Sequence, residues 1–225
     1  MLLLDEGGLD FRATKDIDVV LYVEAVSAEF LDAFWTFVKD GGYKIAQQGT
    51  GERLFYRFRK PENEEFPEMV ELFSRKPDAI GIREGSHLTP ISINEELASL
   101  SAILLEDDYY TLALNGRKLI DGLPVLQAEF LIPFKAKAWL DLSRRRESGE
   151  AVDGKDIRKH RNDVFRLYQI ISGETKVDLT ASVAEDLRIF IDATEESNLN
   201  IRQLGILSFT LADALQGMRE VYGLD

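Results

Sequence analysis

Asp16 and Asp18 are the two residues of this sequence whose type and spacing best suit them to act together. They stand in the run Asp-Ile-Asp-Val-Val-Leu-Tyr-Val-Glu, whose β-branched residues predict a buried strand over 16–24. Because side chains alternate along a strand, both carboxylates leave the same face of the sheet. Two carboxylates that close repel one another, and a divalent cation between them relieves the repulsion. The spacing therefore predicts a site for Mg²⁺ or Mn²⁺.

Glu71 is the candidate third carboxylate of this site. It stands between Val70 and Leu72 in residues 69–74, which are predicted to form another strand. Three carboxylates on neighbouring strands could hold two metal ions that stabilise the attacking and leaving oxygens of a phosphoryl transfer. A structural interpretation stays open, in which Asp16 caps the strand and Glu71 is only the solvent-facing member of an alternation. Glycosyltransferases also use Asp-x-Asp to hold a metal-bound sugar nucleotide, so that class stays open too.

Composition narrows the classes of function. The 225 residues include 27 Lys and Arg but 40 Asp and Glu, a formal charge of -13 that does not favour non-specific binding to nucleic acid. A nucleic-acid substrate would have to meet a local basic patch or a metal ion. The absence of cysteine excludes disulfides, zinc-thiolate sites and thiol catalysis. The apolar start, Met-Leu-Leu-Leu, is too short for a signal peptide or a membrane span, so we expect a cytoplasmic protein without a membrane partner.

The N-terminal half is predicted to contain a sheet. Besides 16–24 and 69–74, residues 43–47 and 54–59 are predicted strands. Ser27 can cap a helix that stops at Gly41 and Gly42. Its apolar face would consist of Phe30, Leu31, Phe34, Phe37 and Val38. A further helix is predicted to begin at Asn94, with Leu97, Leu100, Ile103 and Leu104 on one face.

Residues 108–115 are predicted to form a short helix and 119–126 a hairpin around Asp121-Gly122. From Gln127 onward the pattern is almost wholly helical, and Pro133 is expected to start or kink one helix. Ser182 with Glu185 forms a capping-box signal, and residues 200–222 supply the last helix. The predicted class is therefore α+β. A mixed sheet of about four or five strands flanked by helices would occupy residues 1–126, and a helical domain residues 127–225.

Three segments carry a family resemblance. Residues 12–18, Arg-Ala-Thr-Lys-Asp-Ile-Asp, resemble the Arg-x-Thr-x-Asp-(Ile/Leu)-Asp signature of the AbiEii-like nucleotidyltransferases, a family of the DNA polymerase beta superfamily. Residues 131–138, Leu-Ile-Pro-Phe-Lys-Ala-Lys-Ala, resemble the family's Leu-x-x-x-Lys-x-x-Ala helix. Residues 159–164, Lys-His-Arg-Asn-Asp-Val, resemble its Lys-Asp-x-x-Asp-Leu motif, with His160 where an aspartate is usual.

The resemblance implies a nucleotidyltransferase-like fold and a role for each matching residue. Asp16 and Asp18 would hold the catalytic Mg²⁺ or Mn²⁺, with Glu71 as a third ligand. Asp163 would be a catalytic or orienting residue that reaches in from the helical half. The plainer interpretation of Asp163 is a salt bridge to Lys159, one helical turn away.

The same resemblance implies a set of substrate-binding residues. Lys135 would contact the phosphates of the nucleotide, and Arg12 and Thr14 would position phosphate. Alternatively, Lys135 is a surface lysine whose stem covers apolar atoms, and Arg12 and Thr14 only cap the strand. If the implied roles hold, Lys135 and Asp163 both face the cleft that contains the carboxylates.

The implied activity is transfer of a nucleotidyl group from a nucleoside triphosphate to a hydroxyl acceptor on RNA or protein. The resemblance also suggests a toxin–antitoxin or phage-defence setting, in which a cognate antitoxin protein would be a partner. Members of the superfamily hold the triphosphate on a Gly-Gly or Gly-Ser motif upstream of the aspartates. Only 15 residues precede Asp16 here, and Gly7-Gly8 matches the turn after that motif. We therefore expect weak binding of nucleotide by this sequence, and the alternative is a non-catalytic interaction module that has lost its phosphate loop.

Overall fold

The computed structural model describes residues 16–22, 27–47, 53–75, 88–91, 100–197 and 199–224. It combines helices with β-sheet, which confirms the predicted α+β class. The chain divides into two compact units, one ending at Tyr110 and the other beginning at Thr111. The predicted domain boundary between residues 126 and 127 stays a prediction.

One mixed sheet contains the strands described in the first unit. They are β1 (Asp16–Val20), β2 (Lys44–Gln47), β3 (Arg53–Arg59), β4 (Met69–Ser74), β5 (Leu88–Ile91) and β6 (Leu100–Leu104). The order is β2-β3-β4-β6-β5, and β1 pairs with β4. The pairs β1–β4 and β4–β6 are parallel, whereas the others are antiparallel. β1 ends at Val20, earlier than the predicted 16–24.

Helix α1 (Ala28–Asp40) covers one face of this sheet. Its first turn is capped as predicted, because the Ser27 side chain accepts a hydrogen bond from the backbone N–H of Phe30. The rings of Phe34 and Phe58 meet edge to face at 5.3 Å between centroids. The buried apolar residues of this core are Leu21, Leu31, Val38, Tyr43, Phe58, Val70 and Leu72. The helix therefore fixes which face of β4 is buried.

The predicted helix beginning at Asn94 is wrong for residues 100–104, which form strand β6. Leu100 pairs with Ile91 in the antiparallel β5, and Ile103 pairs with Phe73 in the parallel β4. An apolar run this short satisfies the helical and the extended pattern equally, so the hydrogen bonds of neighbouring strands decide between them. Residues 92–99 lie outside the described residues.

A short helix and a hairpin follow, both as predicted. Helix α2 (Asp107–Asn115) leads into strands β7 (Arg117–Ile120) and β8 (Leu123–Leu126), which pair antiparallel. Asp121 and Gly122, the two turn residues, have φ angles of 50° and 82°. Positive φ at both positions is the geometry of the tight hairpin turn that Asp-Gly favours.

The rest of the second unit is helical. Its elements are α3 (Ala128–Glu147), α4 (Gly154–Tyr168), α5 (Ala181–Glu195), a 3₁₀ turn (Ile201–Leu204) and α6 (Leu211–Tyr222). The predicted last helix over 200–222 is interrupted at Gly205, whose φ of 81° ends the turn, and α6 begins after a capping box of Thr210 and Asp213. Helix α5 is preceded by Thr180 as its N-cap, so Ser182 lies inside the helix and not at its cap.

Pro133 lies inside α3 and does not start a helix. Proline has no N–H, so the carbonyl of Glu129, four residues earlier, lacks its helical donor. The hydroxyl of Tyr222, at the end of α6, donates to that carbonyl over 2.6 Å. A buried side chain from the last helix thereby replaces the missing backbone hydrogen bond.

Candidate functional site

The first candidate site is the exposed face of the sheet at strands β1 and β4. Asp18 is in parallel register with Glu71, and Asp16 with Met69. Because register partners in a parallel pair share a face, Asp16, Asp18 and Glu71 lie on the same side of the sheet. Both aspartates are exposed and Glu71 is half-buried. The structure thus brings the three predicted metal ligands to one face.

Arg57 is a further charged residue on this face, which sequence reasoning missed. It is the antiparallel partner of Glu71 on β3, and its Nε donates a hydrogen bond to Oε1 of Glu71. Asp18, Glu71 and Arg57 therefore lie side by side on three adjacent strands. The signal in the sequence was the alternation of Arg57 and Arg59 about the buried Phe58, which places both arginines on the face opposite the core.

The ion pair with Arg57 changes what Glu71 can contribute to a metal site. Among the described residues, no group of three or more His, Cys, Asp or Glu side chains is arranged to hold a metal ion. Asp16 and Asp18 nevertheless suit Mg²⁺, which commonly uses one or two protein carboxylates and completes its shell with water and substrate phosphate. Glu71 already neutralises Arg57, and its role as third ligand stays a prediction.

The second candidate site lies between helices α3 and α4. Lys135, the lysine of the predicted phosphate-binding motif, is half-buried on α3. Within the described part of the chain it has no hydrogen bond or ion pair. Lys137, two residues on, instead pairs with Asp186 of α5 over 2.9 Å. The two lysines of the motif therefore differ in their contacts. Lys137 links α3 to α5 through an ion pair, whereas the charge of Lys135 is available to a ligand.

Asp163 on α4 is a buried carboxylate, with 4% of its surface exposed. It accepts a hydrogen bond from Nη1 of Arg166 over 3.0 Å, and this ion pair replaces the salt bridge to Lys159 that the plainer interpretation expected. Burying a carboxylate costs free energy unless a partner compensates it, and Arg166 supplies that compensation. Asp163 is thus held in one place on the inner side of α4.

His160 stands one turn before Asp163 and is half-buried. Burial, and then the nearby positive charges of Lys135 and Lys159, lower the pKa of its imidazole to about 4. Its ring is therefore neutral near pH 7. Nδ1 is enclosed and has no hydrogen-bond partner among the described residues. A neutral imidazole beside a cationic lysine could offer one donor and one acceptor to a bound ligand.

The structure does not test the remaining predictions about the site. Arg12 and Thr14 lie outside the described residues, as do Gly7-Gly8 and the second histidine, His87. The expectation that Lys135 and Asp163 face the carboxylates of the sheet joins residues of different compact units and stays a prediction.

Comparison with known proteins adds no assignment: no family model, curated protein or solved structure matches this chain. Within the described ranges, none of the helices combines the length and the apolar character that crossing a membrane requires.

Proposed function

We propose that this protein is a metal-dependent nucleotidyltransferase, which moves a nucleotidyl group from a nucleoside triphosphate to a hydroxyl of RNA or protein. The observation that carries the proposal is the exposed face on which Asp16 and Asp18 stand beside Glu71, in register on parallel strands. The resemblance of residues 12–18 to the AbiEii-like signature supports it. On the same resemblance we propose a toxin–antitoxin or phage-defence setting with a cognate antitoxin partner.

Each named residue has a defined task in this proposal. Asp16 and Asp18 would hold Mg²⁺ or Mn²⁺, and the ion would supply positive charge to the phosphate oxygens. Lys135, whose ammonium has no partner in the described structure, binds nucleotide phosphate. Asp163, held by Arg166, orients the reacting groups. The acceptor hydroxyl releases its proton to water as its oxygen bonds to the α-phosphorus. The bond from that phosphorus to the bridging oxygen breaks, and pyrophosphate leaves.

The second candidate is a non-catalytic interaction module with the same fold. Two observations favour it: Arg57 neutralises the third carboxylate, and His160 replaces the first aspartate of the Lys-Asp-x-x-Asp-Leu motif. Such a module would bind neither nucleotide nor divalent metal at Asp16 and Asp18, and would act through protein contacts alone.

Transfer of radiolabel separates the two candidates. The chain is incubated with Mg²⁺ or Mn²⁺ and each α-labelled nucleoside triphosphate, with bulk RNA or protein as acceptor. We expect label in the RNA or protein, and a loss of about a hundredfold or more in Asp18→Asn, the size of removing one interaction that stabilises a transition state.

Asp32→Asn is the matched control, because Asp32 is an exposed aspartate on α1 of the same unit. It should label its acceptor as the unmodified chain does. No labelling by the unmodified chain, together with no heat of binding for any of the four nucleotides, would leave the interaction module as the function.

A further inference from the structure

A dense group of basic residues surrounds the connection between α3 and α4, in a chain of net charge -13. We call it the arginine turn. It consists of Arg144, Arg145, Arg146, Lys155, Arg158, Lys159 and Arg161. These are seven of the 27 Lys and Arg residues, gathered within residues 144–161, where four acidic residues accompany them. The arginine turn is thus a local basic patch of the kind that an acidic protein needs if it is to bind a polyanion.

Arg146 and Arg158 converge at the start of α4. Their Nη1 atoms lie 3.0 and 3.3 Å from the position that a Cβ would take at Gly154. Both side chains are exposed, and within the described ranges neither forms a hydrogen bond or an ion pair with a carboxylate. Two guanidinium groups held together repel one another, so an anion between them would be favoured.

Neighbouring arginines behave differently, which singles out this pair. Arg145 is paired with Glu150 over 2.8 Å, and Arg144 lies 3.5 Å from Asp141. Arg161 adds a third unsatisfied group: its Nε is enclosed without a hydrogen-bond partner among the described residues. The arginine turn therefore contains both cations that are already compensated and cations that are not.

The surface beside the pair is concave. An open depression is lined by Ser143, Arg146, Glu147 and Ile157. The exposed large apolar side chains of the described structure all lie elsewhere, so the arginine turn has no anchor for insertion into a membrane surface. The basic residues also extend over two helix ends, farther than one nucleotide would need.

We infer that the arginine turn binds the phosphodiester backbone of an RNA strand, with Arg146 and Arg158 sharing one phosphate. The planar fork of donors in arginine matches the oxygens of a phosphate group, which favours arginine over lysine for this contact. The inference rests on the proposed function, because it identifies RNA as the class of acceptor. It concerns binding alone and requires no chemical step.

Fluorescence anisotropy with a short, fluorescein-labelled single-stranded RNA tests the inference. We expect Arg146→Gln with Arg158→Gln to weaken binding about a hundredfold, roughly tenfold for each charge-assisted hydrogen bond. The dependence of the logarithm of affinity on the logarithm of salt concentration should become shallower by about 0.7 for each phosphate that the variant no longer neutralises. Arg202→Gln, which removes an exposed arginine from the 3₁₀ turn of the same unit, is the control and should bind as the unmodified chain does.

Several results would overturn the inference: an equal loss in Arg202→Gln, unchanged binding in the double variant, or tighter binding of polyglutamate or anionic vesicles than of RNA to the same arginines. Because both substituted side chains are exposed, we expect the double variant to fold, and an unchanged melting curve verifies that it does.

Asp18→Asn separates the two proposals. If it binds RNA normally while the unmodified chain transfers no nucleotide, the proposed activity fails and the inference stands. If the unmodified chain transfers nucleotide to RNA and the double variant binds RNA normally, the inference fails and the proposed activity stands.

Discussion

Arg57 compensates the negative charge of Glu71, one of the carboxylates on the exposed face of the sheet. Glu71 has a guanidinium on one side, from β3, and Asp18 on the other, from β1. The Arg57 side chain is 36% exposed and that of Glu71 is 13% exposed, so solvent screens the ion pair and its contribution to stability is about 1 kcal/mol or less. Its larger effect is on metal binding. Because Arg57 already compensates the charge of Glu71, this carboxylate would gain less free energy from binding a metal ion. In the metal site that we propose, a cation would therefore be held chiefly by Asp16 and Asp18.

Replacing Arg57 should make the sheet more responsive to divalent cations. Arg57→Gln removes the guanidinium that compensates Glu71, so we expect a lower melting temperature without metal and a larger rise when Mg²⁺ or Mn²⁺ is added. Thermal melts with and without metal measure both effects. Arg59→Gln on the same strand is the control, since Arg59 lies opposite Met69 and not a carboxylate. Equal metal responses in the two variants would contradict the role assigned to Arg57.

Helix α3 depends on a residue from the far end of the chain. Pro133 leaves the carbonyl of Glu129 without a backbone donor, and the Tyr222 hydroxyl of α6 replaces it. The Tyr222 side chain is buried, and burial raises the pKa of its phenol well above the usual value, so the hydroxyl remains protonated as the donor. One hydrogen bond thus couples the start of α3 to the end of α6.

Removing that hydroxyl should be costly only while Pro133 is present. We expect Tyr222→Phe to lower the free energy of unfolding by about 1–3 kcal/mol, because it leaves the part-buried carbonyl of Glu129 without a donor. In a Pro133→Ala background, the alanine N–H can donate to Glu129, so the same substitution should cost clearly less. Urea denaturation of the four proteins of this cycle gives the coupling. The same cost in both backgrounds would show that the hydroxyl has another role.

The stability of the protein should depend on pH through His160. Its pKa is lowered to about 4 in the folded chain, against about 6.5 in an unfolded one. Between these values the unfolded chain binds more protons, so the free energy of unfolding falls as the pH falls from about 6.5 towards about 4. We expect His160→Gln to weaken this dependence, measured by urea denaturation across that range.

Nuclear magnetic resonance checks the same property directly. The chain has two histidines, so His87→Gln assigns both ring signals, and the signal of His160 should titrate well below pH 6.5. A midpoint near 6.5 would show that the imidazole is open to water and that Lys135 does not act on it.

The sequence by itself determined the features that local patterns encode. The cap at Ser27, the apolar face of α1 and the Asp121-Gly122 turn were all predictable, because each depends on residues within a few positions of one another. The common face of Asp16 and Asp18 follows in the same way from the alternation of a strand. Of the candidate sites, local reasoning could therefore supply the aspartate pair and the predicted helix that contains Lys135.

Only the tertiary structure decided which distant residues meet. Arg57 and Glu71 are 14 positions apart, and Tyr222 and Glu129 are 93 apart. Residues 100–104 became a strand because β4 and β5 supply hydrogen-bonding partners. Arg146 and Arg158 both lie close to the position that a side chain would take at Gly154. One physical reason applies to all of these cases. The free energy of an ion pair, of paired β-strands or of a side-chain hydrogen bond depends on both partners, and the local sequence around one partner does not reveal the other.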